Sequence, residues 1–86
     1  MTIDEFQQRI SRNYEARDRE RGTPATFMWF IEEVGELATA LAGDDQANKE
    51  EEFADVFAWL CTLANINDVR LEKAIEKYLG EHLGYK

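Results

Sequence analysis

The stretch FIEEVGELATAL, residues 30–41, decides how this chain reads. Phe30, Ile31, Val34, Leu37, Ala38 and Leu41 recur at the three-to-four residue interval of an α-helix. Glu32, Glu33 and Glu36 crowd into the same segment. Residues 50–60, EEEFADVFAWL, repeat the pattern, with Glu52 and Asp55 beside Phe53, Val56, Phe57 and Leu60. Successive helical residues turn by about 100°, so Glu33 and Glu36 stand about 60° apart around the axis and nearly one turn apart along it. Glu52 and Asp55 share that separation.

Working outward, four helical segments emerge and no strand. The first spans about Ile3 to Arg21, opened by Thr2 and Glu5 at capping-box spacing and closed by Gly22. Its stripe is Ile3, Phe6, Ile10 and Tyr14, which leaves Arg9, Arg12, Arg17 and Arg19 on a solvated face. Thr23-Pro24 reads as N-cap and first position of a second helix that runs through Phe27 to about Ala42, with Gly43 as its stop. Gly35 inside that helix costs roughly 1 kcal/mol relative to alanine, a cost close helix packing would explain. The third helix starts within GDDQANKEE and continues to about Asn65, with Phe53, Val56, Phe57, Leu60, Leu63 and Ala64 as its core face. Residues 65–68 form a turn, and Asp68 is expected to cap a fourth helix carrying Leu71, Ala74, Ile75, Tyr78 and Leu79. The tail EHLGYK is expected to fray or pack on a partner subunit, and its His82 to have no catalytic role. The prediction is one all-α domain over residues 1–86, a four-helix chain that completes an oligomeric helical bundle.

Composition narrows the partners. Of 86 residues, 44% are apolar and 33% charged, which fits a globular chain. The net charge of −8 argues against nucleic-acid polymers and anionic membranes. A small phosphorylated ligand stays open, because bound cations reverse charge locally. Cys61 is the only cysteine and reads as a small buried hydrophobe in a reducing compartment. The charged N-terminus has no signal-peptide core, and no apolar run nears the roughly 20 residues of a membrane span. A cytoplasmic protein is expected.

The short connection at residues 43–45 makes the second and third helices antiparallel neighbours, so the two acidic pairs can meet across their interface. Converging carboxylates repel strongly unless a cation sits between them. Oxygen-only ligation suits Mg²⁺, with Mn²⁺ as a substitute, and the absence of nearby Cys or His argues against zinc. A di-iron carboxylate bundle would need Glu-x-x-His pairs, which neither cluster contains. The competing reading makes these acids the solvated faces of two amphipathic helices. Trp29 lies four residues before Glu33 and Trp59 four after Asp55. In an antiparallel pair both point to the same end, where they could stack a nucleobase or fill an oligomer core. Asn65 and Asn67, just beyond, could hydrogen-bond a base edge or serve the turn.

EEVGE at 32–36, fifteen intervening residues, then EFAD at 52–55 resembles the EExxE…ExxD signature of the MazG-like nucleoside triphosphate pyrophosphohydrolases, of the all-α NTP pyrophosphatase superfamily. LEKA at 71–74 resembles that family's final helix, so the likeness extends from Pro24 to Gly80. The resemblance implies that Glu33, Glu36, Glu52 and Asp55 are Mg²⁺ ligands. It makes Glu32 a supporting residue or base, and Glu36 a candidate acceptor of the attacking water's proton. Further, it implies cleavage of a nucleoside triphosphate to monophosphate and pyrophosphate by a homodimer or dimer of dimers. In place of the family's KxxKN-type ending the chain has EKYLGEHLGYK, where Lys77 and then Lys73 are the positional candidates for phosphate contacts. Phe57-Ala58-Trp59 stands where phosphoribosyl-ATP pyrophosphohydrolases carry Tyr-His, which disfavours that substrate. The alternative function is a non-enzymatic helical oligomerisation or partner-binding module that retains the acidic faces.

Overall fold

The computed structural model describes residues 1–80; the tail at 81–86, with His82, lies outside the described residues. Three long helices carry the fold: α1 (Ile3–Arg21), α2 (Thr23–Leu41) and α3 (Gln46–Ile66). A four-residue α4 (Leu71–Ala74) follows and runs directly into a 3-10 turn at Ile75–Tyr78. There is no strand among the described residues, so the fold is all-α, as the periodicity predicts. None of these helices is long and apolar enough to cross a membrane.

Local chemistry sets the boundaries. The Thr2 hydroxyl accepts from the Glu5 N–H at 3.0 Å, and the Thr2 N–H donates to the Glu5 carboxylate at 2.7 Å, completing the expected capping box. Gly22 ends α1 at φ +88°, a backbone conformation that favours glycine. That same residue, not Thr23, is the N-cap of α2, which moves Pro24 to the second helical position. The hydroxyl of Thr23 is instead within 3.2 Å of the Asn67 amide, bridging to the end of α3. Asp45 caps α3 by accepting from the Asn48 N–H at 3.1 Å.

Beyond α3 the expectation needs correcting. Asp68 does not cap α4; it sits at φ +58° in the turn, bound to Arg19 at 2.7 Å, and Arg70 holds the N-cap position without a side-chain bond to the helix. The Arg19 guanidinium also donates to the carbonyls of Asn65 (2.9 Å) and Ile66 (3.4 Å). An arginine read from sequence as solvated thus donates to two carbonyls of the last turn of α3, of which that of Asn65 also accepts from the Asp68 N–H at 3.3 Å.

The packing follows from a seam that the apolar pattern does not mark. α2 and α3 form the most extensive pair, α1 packs on α3, and α4 rests against α1. Gln7, buried on α1, donates to Asn65 Oδ1 (3.0 Å) and the Val69 carbonyl (2.7 Å), and accepts from the Leu71 N–H (2.9 Å). One glutamine thereby ties the α3–α4 turn to α1, each of its polar groups satisfied.

The buried apolar set among the described residues is only Ala40, Cys61 and Ala64. On α2, the buried Thr26 and Ala40 and the half-buried Glu33 mark the side turned to the rest of the chain. Phe27, Ile31, Val34 and Leu41 lie about 120° around the helix from that side and are 37–51% exposed. On α3, Phe53, Phe57 and Leu60, expected as core, are likewise exposed, although Phe57 stacks on Phe6 with ring centroids 5.5 Å apart. Much of the apolar stripe on both helices therefore faces outward, while the less exposed sides of α2 and α3 mix half-buried Phe30, Leu37, Val56 and Leu63 with acids and small residues. Gly35 marks no close helix crossing within the chain, since a Cβ built there would meet nothing within 4 Å.

Candidate metal centre

Glu33 and Glu36 project from the middle of α2, and Glu52 from α3, where the antiparallel pair brings them level. One carboxylate oxygen from each of these three residues can be chosen so that all lie within 4.8 Å of one another. Asp55 is outside that triangle, yet near enough for its charge to act on both Glu33 and Glu52. Glu32 is exposed and is not part of the cluster.

The electrostatics of the group are those of an unfinished site. The pKa of Glu33 is raised above its usual 4.5, first by burial and then by the Glu36 charge, with Asp55 and Glu52 adding to it. That of Glu52 is raised as well, by burial and then by Glu36 and Asp55. Glu33 Oε2 and Glu52 Oε2 are buried without a hydrogen-bond partner. Buried carboxylate oxygens normally find a donor; here the facing groups are other carboxylates, which cannot donate when ionised. A hard divalent cation satisfies both oxygens and removes the mutual repulsion, so the residues present fit such an ion.

One turn away the tryptophans meet as the offsets require. Trp29 and Trp59 are nearly parallel, with centroids 6.3 Å apart and planes inclined by 15°. A base between them needs about 7 Å, two contacts of about 3.5 Å each, so the pair has to open to admit one. The Arg21 guanidinium lies over Trp59, 5.2 Å from its centroid.

The remaining candidates are not brought to the cluster. Asn65 is bonded to Gln7 through both ends of its amide, and Asn67 donates to the Leu63 carbonyl at 2.9 Å. Lys73 lies exposed on α4, which packs on α1. Lys77 follows in the 3-10 turn, with its ammonium 5.0 Å from the Tyr78 ring centroid. Sequence reasoning missed the group around Arg21. This guanidinium binds buried Asp18 at 2.7 Å and the buried Thr26 hydroxyl at 3.0 Å. The available signal was the three-residue spacing of Asp18 and Arg21, which puts them on one face of α1.

No curated protein matches the chain. An all-α chain with a carboxylate cluster shared by two antiparallel helices is what the EEVGE and EFAD motifs imply. Residues 21–80, more than half of the chain and the whole of both motifs, match the MazG nucleotide pyrophosphohydrolase domain, and the protein belongs to that family.

Proposed function

We propose that the protein is a Mg²⁺-dependent nucleoside triphosphate pyrophosphohydrolase that releases the nucleoside monophosphate and pyrophosphate. The observation that carries this reading is the pair of buried, unpartnered oxygens on Glu33 and Glu52 beside Glu36. Glu33, Glu36, Glu52 and Asp55 hold the cation, Mg²⁺ or Mn²⁺ by their hard oxygen donors. When bound, such an ion neutralises phosphate charge and lowers the pKa of water. Glu36 is the exposed member of the triangle and the one suited to accept the proton of the attacking water. Glu32, exposed and outside the cluster, would serve as a supporting residue or base. The Trp29–Trp59 pair, one turn along, offers an aromatic face to the base.

The working unit is a homodimer or dimer of dimers. Its support is the outward apolar stripe of α2 and α3, a solvent-facing arrangement that a soluble monomer rarely keeps. Lys73 and Lys77 are then candidates for phosphate contacts within the assembly.

Incubating the chain with a panel of nucleoside triphosphates and Mg²⁺, with pyrophosphate as the readout, tests the reaction. Glu36→Gln is expected to abolish turnover while keeping the helical signal, because one charged ligand is lost at constant volume. Retained Mg²⁺-dependent activity in that variant would remove Glu36 from the mechanism.

A further inference from the structure

A cavity of about 190 Å³ opens between the C-terminal half of α1 and α3, walled by Tyr14, Arg17, Asp18, Arg21, Trp59 and Thr62. Its α1 wall lies almost wholly outside the residues that match the family. It is too small for a whole nucleotide and sized for a planar fragment, since sites that enclose drug-sized ligands run to about 300–1,000 Å³. Trp59 belongs both to this wall and to the tryptophan pair. Asp55 precedes it by four residues, about 6 Å along the helix, so the cavity begins one turn from the carboxylates. A pentose bridges such a gap between phosphates and base.

The wall chemistry is one-sided. Arg21 is fixed by three contacts: Nη2 donates to Asp18 at 2.7 Å, Nε donates to Thr26 at 3.0 Å, and the guanidinium rests on Trp59. Its Nη1 donates to nothing among the described residues. Arg17 lies over the Tyr14 ring, 5.4 Å from the centroid, and has no ion pair among the described residues. Two guanidiniums against one carboxylate, itself already paired, leave the cavity cationic in a chain of net charge −8. Spare N–H donors between aromatic walls call for a flat group that presents acceptors.

We propose that this cavity receives the nucleobase, and that Arg17 and Arg21 select bases with an oxo group at the purine 6 or pyrimidine 4 position, guanine, uracil or thymine, over adenine, which carries an amine there. This assignment rests on the nucleotide-hydrolase reading above. A guanidinium pairs with the oxygen and ring nitrogen of guanine, whereas adenine presents an amine, another donor, at the matching position. Asp18 is a positioning residue: it holds Arg21 in place and does not touch the base.

The test is steady-state hydrolysis of GTP, UTP, dTTP and ATP with Mg²⁺ by the full chain and by two variants. The unaltered chain is expected to favour at least one of GTP, UTP and dTTP over ATP by about tenfold in kcat/KM, the discrimination of one good guanidinium contact. Arg21→Gln is expected to erase that preference, but it strands buried Asp18 and can weaken the fold. Arg17→Gln breaks no ion pair; it is expected to raise KM for the preferred nucleotide several-fold and leave KM for ATP nearly unmoved. An ATP preference, or an unchanged base ranking in the folded Arg17→Gln and Arg21→Gln proteins, would overturn this assignment and leave the hydrolase reading standing. Absence of turnover with all four nucleotides would overturn both.

Discussion

At the scale of single residues, the acidic triangle works against the folded chain until a cation arrives. Glu33 and Glu52 have folded pKa values above the ordinary 4.5. Between 4.5 and those raised values the folded protein binds more protons than the unfolded one, so stability falls as pH rises through that window. Glu5 and Glu15 act in the opposite sense, since their pKa values are lowered by bonds to Thr2 and to Ser11 and Arg19. Their contribution is present above 4.5 and is lost as pH falls through their folded values. The thermal midpoint of the metal-free protein is therefore expected to decline as pH rises from about 4.5 through the raised values of Glu33 and Glu52, and added Mg²⁺ to raise it more above that window than at pH 4.5. Calorimetry across that range, with chelator and then with Mg²⁺, checks both. A midpoint that climbs steadily to pH 7 without metal would contradict the electrostatic account. Glu36→Gln removes the largest charge acting on its two neighbours, so its metal-free midpoint should exceed that of the unaltered chain.

At the scale of helices, what was legible from sequence depended on whether the controlling interaction is local. The Thr2–Glu5 box and the Gly22 break rest on spacing within a turn, and each is where spacing puts it; of the two acidic pairs, Glu33, Glu36 and Glu52 come together and Asp55 stays outside. Asp68 was illegible because its partner, Arg19, is 49 residues away in sequence. Gln7 was overlooked for a similar reason, since its partners lie on other elements; Asp18 is buried beside Arg21 of its own helix, and an apolar-period reading assigns both polar residues to solvent. Which side of α2 faces inward was equally hidden, since periodicity finds the stripe and says nothing about what covers it. Gly35 gives an element-level prediction. It is helical, exposed and clear of neighbours, so Gly35→Ala is expected to stabilise the chain by about 0.5–1 kcal/mol. Urea unfolding followed by circular dichroism reads this directly. A loss of stability would place another backbone against Gly35, supplied by a second copy.

At the scale of the whole molecule, α2 presents two faces of different character. Its inner face carries two of the clustered carboxylates, and its outer face carries Phe27, Ile31, Val34 and Leu41. In the proposed homodimer, a helix so placed would make protein concentration a variable of the proposed reaction: losing the contact on the outer face would free α2 to shift, and the triangle it shares with Glu52 would open with it. Specific activity per chain should then be constant at high protein concentration and fall on dilution, along the same curve that light scattering traces for dissociation. With Mg²⁺ binding the closed triangle as proposed, the ion should move that curve to lower concentration by mass action. Constant specific activity through the dissociation range would uncouple the two faces. With them coupled, the amount of protein in a compartment sets its output more steeply than in simple proportion, so the chain's abundance becomes a control on its own catalysis.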